Sequence, residues 1–337
     1  MHYTLLLKTP TNARYSQSLH KLALHECACT LLSLGISASP CIETIGGASF
    51  LAFDADALNA KDWAILSSHS AVCFAATAEG ELLRPLPLAR NAYLPPELPH
   101  VLKYKGKTNV DFTLMMLHCA KAASGYARAE EPLTVLDPVC GRGTTLFCAL
   151  LEGNSAIGVD ADRKAIDEAD DYFERFLQYN RLKHRREESS RTLKPSGSAK
   201  LRRFTFAGDA EAYKRGDTRT LTLCQADMSQ SEGLLRPGCC QLIVGDLPYG
   251  VQHAPKEGAR VSTQSTFLRR LLEPLPKALN AGGAIALSFN TYTLPREELS
   301  RLMREVGFDV LEAPPYDDFS HWVEQAINRD MVVARKA

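Results

Sequence analysis

The sequence predicts an α/β protein in two parts, a small α+β unit followed by a larger, mostly parallel sheet with helices on both faces. Three observations carry this. Residues 1–80 alternate strand-like and helical runs in the order β-α-β-β-α-β. Prolines then crowd residues 81–104, with Pro85, Pro87, Pro95, Pro96 and Pro99. From Leu133 to the end, strand and helix patterns alternate again.

The elements follow in order. A strand over residues 3–8 precedes a helix over 18–34, whose apolar positions are Leu22, Leu24, Cys27, Leu31 and Leu32. Strands at 41–45 and 49–53 flank Gly46-Gly47, a turn signal. A helix at 56–66 and a strand at 71–75 complete a ferredoxin-like order. The proline-rich stretch 81–104 reads as an extended linker, because the residue before a proline avoids helix. A helix at 110–123 then leads into residues 105–337 as one domain. Its expected strands are 133–137, 156–160, 221–226, 242–246, 284–289, 309–312 and 331–334, with helices at 164–183, 266–279 and 295–306.

Composition bounds the rest. Of 337 residues, 45% are hydrophobic and 23% charged, as in a water-soluble globular chain. No apolar run approaches the ~18 residues that span a bilayer, so no membrane partner is expected. Residues 1–8 lack a basic leader ahead of an apolar segment, and Cys119, Cys140, Cys148 and Cys224 sit in apolar stretches as reduced thiols do. The expectation is a cytoplasmic protein. Lys plus Arg and Asp plus Glu balance at 39 each. One basic cluster stands out: residues 181–203 hold nine Lys or Arg against two acids, and 189–200 have loop composition. This basic insertion is either a solvated loop or a contact for nucleic acid phosphates.

The chemistry-bearing signal begins at Asp137-Pro138-Val139-Cys140-Gly141-Arg142-Gly143-Thr144. A strand ends, a glycine-bearing loop turns, and a helix begins with unpaired N–H groups facing outward. The next strand ends at Asp160-Ala161, where an acid can accept both hydroxyls of a ribose, the Rossmann-like pattern. The third ends at Asp227-Met228, suited to an adenine amino group. The fourth ends at Asp246-Leu247-Pro248-Tyr249-Gly250. Acids at successive strand ends are far more specific than the glycines alone. A nicotinamide enzyme would want a third glycine, and the position after Thr145 is Leu146.

Together, Asp137-Pro138-x-Cys140-Gly141-x-Gly143-Thr144 and Asp246-x-Pro248-Tyr249 resemble the Rossmann-like amino-methyltransferases that use S-adenosylmethionine. With Leu rather than Pro after the acid, the chain is most similar to the tRNA guanosine-N2 branch, the guanosine-10 enzymes and their THUMP-bearing relatives. The resemblance covers about residues 100 to 335 and implies a seven-stranded methyltransferase sheet, S-adenosylmethionine as cofactor and RNA, tRNA first, as partner. It assigns Asp137, Pro138, Cys140, Gly141, Gly143, Thr144, Asp160, Ala161, Asp227 and Met228 to the cofactor. It also implies that Lys107, Thr108 or the N–H groups following them hold the cofactor's carboxylate. Asp246, Leu247, Pro248 and Tyr249 would hold the target amine.

An exocyclic nitrogen is a poor nucleophile, its lone pair being delocalised into the ring. A carboxylate and a main-chain carbonyl that accept its two N–H bonds aim that lone pair at the methyl donor. Pro248 stiffens the turn, and Tyr249 can stack on the extracted base. No metal is needed for this transfer. Cys27-x-Cys29 lies on a helical period where i and i+2 do not share a face, which suits packing better than zinc. Cys239-Cys240 has no partner pattern, and His321-Trp322 reads as packing. His253, Lys256 and Arg260 follow the Tyr249 loop and could flank a substrate strand.

The departure from the relatives is length: about 100 residues precede Lys105, enough for the ferredoxin-like unit but not for a THUMP module. That leaves open the modified position, rRNA against tRNA, and a small activating protein subunit. Two alternatives stand beside the leading one: an adenine-N6 enzyme on DNA or RNA, and a non-catalytic, cofactor-binding RNA-binding protein.

Overall fold

In this computed structural model the described residues are 1–9, 13–88, 92–102, 104, 107–193, 197–228, 233–248 and 262–337. The first part folds as β1 (His2–Leu7), α1 (Ala13–Ser33), β2 (Cys41–Ile45), β3 (Ala48–Asp54), α2 (Ala60–Ser67) and β4 (Val72–Glu79). All pairings are antiparallel, in the order β2-β3-β1-β4, the ferredoxin-like arrangement. Alternation decides the faces: Tyr3, Leu5 and Leu7 of β1 join Leu51, Phe53 and Val72 beneath Ala23, Cys27 and Leu31 of α1. Asn59 caps α2 by accepting the N–H groups of Lys61 and Asp62.

The linker expectation fails at its start. β5 (Leu82–Leu86) pairs with β4, so residues 82–86 belong to the sheet. β5 is an edge strand, and an edge tolerates the missing N–H of Pro85.

After α3 (Leu98–Val101) come α4 (Val110–Ala123), β6 (Thr134–Asp137), α5 (Thr144–Leu151), β7 (Ser155–Asp160) and α6 (Arg163–Tyr179). Next are β8 (His184–Thr192), β9 (Ser198–Phe206), α7 (Ala210–Arg215), β10 (Arg219–Gln225) and β11 (Cys240–Asp246). The chain closes with α8 (Ser262–Leu272), α9 (Leu275–Ala278), β12 (Leu279–Asn290), α10 (Arg296–Glu305), β13 (Phe308–Val310), β14 (His321–Glu324) and β15 (Ile327–Lys336).

These strands form one sheet in the order β13-β15-β12-β11-β6-β7-β10-β9-β8, with β14 paired to β15. The five strands from β12 to β10 are parallel, and β15 runs antiparallel between β12 and β13. Residues on alternate sides feed two cores. Val135, Leu242 and Val244 face the α4–α6 layer, while Leu136, Ile243 and Leu287 face α8–α10.

Within residues 181–203, positions 184–192 and 198–203 are strand rather than loop. β8 and β9 form a hairpin that widens the sheet beyond β10, with Glu187 opposite Arg203 and Arg186 opposite Phe204. Phe204 and Phe206 sink into the core against Phe173 of α6, which anchors the hairpin. Its charges are partly neutralised: Arg186 pairs with Asp170 at 2.7 Å, and Arg202 pairs with Asp167.

The ferredoxin-like unit is docked on α4. Lys8 donates to Asp111 at 2.5 Å, Lys21 to Asp318 at 2.7 Å, and Arg128 to Asp62 at 3.0 Å. At the centre, His118 of α4 touches Glu26 of α1 through Nδ1 and Glu152 through Nε2, both at 2.5 Å. Cys27 and Cys29 of α1 face opposite ways, one into the sandwich core and the other into the core of the large domain. Among the described residues no helix is long and apolar enough to cross a membrane.

Candidate active site

Strand order reverses between β6 and β11: from β6 the chain proceeds outward to β7 and β10, then returns to β11 on the other side. Ligands of open α/β sheets bind in the crevice above such a point, at the carboxyl ends of the strands. Asp137 ends β6 and Asp246 ends β11, so both acids flank that crevice.

The loop after β6 is shaped by its small residues. Gly141 and Gly143 have φ of +49° and +89°, the left-handed region that side chains resist. A Cβ on Gly141 would meet nothing within 4 Å, so space lies open beside that backbone. Gly143 caps α5, and Thr144 and Thr145 begin it. A Cβ on Gly158 would sit 2.4 Å from Leu146 and 2.7 Å from the Cys140 sulfur; glycine there lets the loop lie directly on β7. Pro138 and Cys140 are buried beneath it.

Asp160 ends β7 and accepts the N–H of Gly141 at 2.7 Å and that of Asp162 at 2.8 Å, tying the glycine loop to the second strand. Ala161 beside it is exposed. The next strand joins through the Ala226 N–H to the Asp160 carbonyl, which brings half-buried Asp227 and buried Met228 to the adjoining strand end. Asp137 is 2% exposed and accepts the Val139 N–H at 3.0 Å. Burial, reinforced by the charges of Asp160 and Asp246, pushes its carboxyl up to about 7.

Asp246 is held on both oxygens. The Thr108 hydroxyl donates to Oδ2 at 2.6 Å, the Ser288 hydroxyl to Oδ1, and Arg329 Nη2 to Oδ2 at 3.3 Å. Arg329 lies over the Phe112 ring, 5.1 Å from its centroid, and His321 packs against the same ring at 4.9 Å. Burial and the Arg329 charge push His321 down to about 4, so it is a neutral imidazole at pH 7. The Leu247 N–H donates to the Ser288 carbonyl at 2.8 Å, fixing the turn; Leu247 is buried and Pro248 exposed. Tyr249, Gly250, His253, Lys256 and Arg260 lie outside the described residues.

The two side chains expected near the cofactor's carboxylate have protein partners: the Thr108 hydroxyl donates to Asp246, and the Lys107 ammonium donates to the main-chain carbonyls of Pro99 and Leu102, at 2.5 and 2.8 Å. Tyr104 reaches the start of α5, its hydroxyl 2.8 Å from that of Thr144, with the Arg142 guanidinium 4.8 Å from its ring. Sequence reasoning missed Ser288 and Arg329. Ser288 carries a faint signal, one hydroxyl inside the apolar run of β12; Arg329 carries none.

The strand order and the strand-end loops define a Rossmann-like α/β architecture, with β15 antiparallel between β12 and β13 and an added α+β unit. No protein-family model matches the chain, and no curated protein sequence does. Among solved structures, the chain is similar to TrmN from Thermus thermophilus, with 15% identity over 89% of this chain and 60% of that one, at a TM-score of 0.40. A 16S rRNA N2 G1207 methyltransferase (RsmC) from T. thermophilus, in complex with AdoMet and guanosine, matches at 15% identity over 89% of this chain and 51% of its own, TM-score 0.38. A TehB-like SAM-dependent methyltransferase from Corynebacterium glutamicum matches at 14% identity over 67% of this chain and 87% of its own, TM-score 0.37.

Proposed function

We propose that this protein transfers a methyl group from S-adenosylmethionine to the exocyclic amine of an RNA base, guanine N2 of tRNA being the target the motif fits best. One observation carries the reading: the Asp246 carboxylate, oriented by Thr108, Ser288 and Arg329, stands at the switch point beside the glycine loop. An oriented carboxylate is the acceptor that an amine nucleophile requires.

The cofactor is supported by the fit of its cradle. Gly141 leaves its backbone approachable, Gly143 opens a helix N-terminus, and Asp160 and Asp227 stand at the two following strand ends. Asp160 accepts the N–H groups of Gly141 and Asp162 at the end of β7, the place where a carboxylate suits ribose hydroxyls. When bound, the sulfonium supplies an already activated methyl group. The chain's own part is to seat the amine, with Asp246 and the main-chain carbonyl of Leu247 or Pro248 accepting its N–H bonds, and to exclude water. Asp246 also stands ready to take the proton released as the nitrogen gains its methyl.

RNA as partner is supported by the β8–β9 hairpin, whose Lys183, Arg185, Lys200 and Arg203 are exposed. Leu247 favours guanine N2 over adenine N6, where Pro-Pro is the usual pair. Asp246→Ala tests the mechanism: turnover is abolished while S-adenosylmethionine affinity stays within a few-fold. Activity surviving that substitution overturns it.

A further inference from the structure

β12 does not stop at Ser288. It runs on to Asn290 and turns there, placing Tyr292 on the same carboxyl edge of the sheet, 62% exposed. At a rise of about 3.3 Å per strand residue, the four positions from Ser288 set Tyr292 within about 13 Å of the residue that holds Asp246.

The loop carrying this ring is unusually fixed. Asn290 Oδ1 accepts the N–H groups of both Tyr292 and Asn328 at 3.2 Å, and Asn290 Nδ2 donates to the Ala326 carbonyl at 3.0 Å. Asn328 Nδ2 donates to the Thr291 hydroxyl, and the Thr291 N–H to the Asn328 carbonyl, both at 2.8 Å. Leu294 buries the far side of the turn. Asn328 immediately precedes Arg329, so one network fixes Tyr292 and borders the residue paired with Asp246. A single exposed ring on a mobile loop needs no explanation. A ring presented to water by a pinned turn at the lip of the crevice is well placed to receive a flat ligand, because the backbone is already ordered and only the two side-chain torsions of a tyrosine remain to be fixed on stacking.

We infer that Tyr292 is a stacking platform for an unpaired RNA base next to the one that is methylated. The inference rests on the RNA reading above. Every base presents a π face, so the contact gives affinity without reading sequence.

The experiment measures equilibrium binding of a short single-stranded RNA to wild-type protein and to Tyr292→Ala, Tyr292→Trp and Tyr179→Ala. Tyr179, 89% exposed at the end of α6, is the control ring away from the carboxyl edge. Loss of one base stack weakens RNA binding roughly 5- to 150-fold in Tyr292→Ala. Tyr292→Trp binds at least as tightly as wild type, Tyr179→Ala binds as wild type, and S-adenosylmethionine affinity is equal in all four. Equal RNA binding by wild type and Tyr292→Ala overturns the inference and leaves the RNA reading standing. Failure of the wild-type protein to bind RNA overturns both.

Discussion

The Arg329 guanidinium lies 3.3 Å from the Asp246 carboxylate, and the two side chains are only 6% and 14% exposed. A cation this buried is not a surface ornament: it balances an acid that would otherwise stand beside Asp137 and Asp160. Removing one partner of a buried pair commonly costs about 3–5 kcal/mol, and since Thr108 and Ser288 still bind Asp246, Arg329→Met is expected to cost about 2–4 kcal/mol. Urea unfolding of Arg329→Met, with Arg329→Lys recovering part of the loss, checks this.

His118 gives the docked N-terminal unit a pH signature. Both its partners are carboxylates, so both ring nitrogens must donate and the imidazole is charged. Burial lowers its proton affinity, but Glu152 and Glu26 outweigh burial and hold it up to about 10, from 6.5 unfolded. A raised basic pKa stabilises fully below 6.5, progressively less as pH rises, and not at all above about 10. Glu26, which burial would raise, is brought down to about 2 by His69, His118 and Ser70, so its contribution is complete above 4.5 and lost as pH falls through 2. The wild-type Tm should therefore decline between pH 7 and 10 more steeply than that of His118→Gln, as measured by thermal melts across that range. Parallel curves would remove the imidazolium from the account.

Asp137 runs opposite to Glu26 and in the same direction as His118, with stability falling as pH rises. A carboxyl raised from 3.8 to about 7 costs stability as pH climbs between those values, because the unfolded chain ionises first. Asp137→Asn keeps an oxygen for the Val139 N–H, so it should raise Tm at pH 8 and leave it nearly unchanged at pH 4. Calorimetry at the two pH values decides this.

Gly158→Ala tests the packing under the glycine loop. Its Cβ would collide with Leu146 and the Cys140 sulfur, and overpacking of this kind costs roughly 1–3 kcal/mol. Because those residues carry the loop, S-adenosylmethionine affinity should fall together with stability. A stable variant with wild-type affinity would show that the loop does not depend on that close approach.

The hairpin separates structural from solvent-facing charge. Serine at Lys183, Arg185, Lys200 and Arg203 should reduce the slope of log K against log salt for RNA by roughly 0.7–0.9 for each phosphate no longer neutralised, with little change in Tm. Serine at Arg186 or Arg202 should lower Tm, because their acids on α6 would lose their partners. An unchanged salt slope in the first set would sink the hairpin as a phosphate-binding surface.

Much of this fold is written locally. Periodicity and turn residues locate the ferredoxin-like order and β6, β7, β11 and β12, and Asp137, Asp160, Asp227 and Asp246 announce themselves as acids at strand ends. What was not legible is tertiary. Residues 189–200 are polar enough for a loop, yet β8 and β9 pair because Phe204 and Phe206 anchor them from beyond that stretch. β5 is hidden by Pro85, which only an edge position permits. Thr108 from the segment before α4, Ser288 from β12 and Arg329 from β15 meet at one carboxylate, a convergence that no spacing in the chain encodes.

In the proposed reaction Asp246 presents an RNA amine to S-adenosylmethionine. Tritiated-methyl transfer to unfractionated tRNA, rRNA and DNA, followed by nucleoside digestion and mass spectrometry, tests it most directly. Label is expected in N2-methylguanosine from tRNA with wild-type protein, and none with Asp246→Ala. Label in N6-methyladenine, or label that persists in Asp246→Ala, would contradict it.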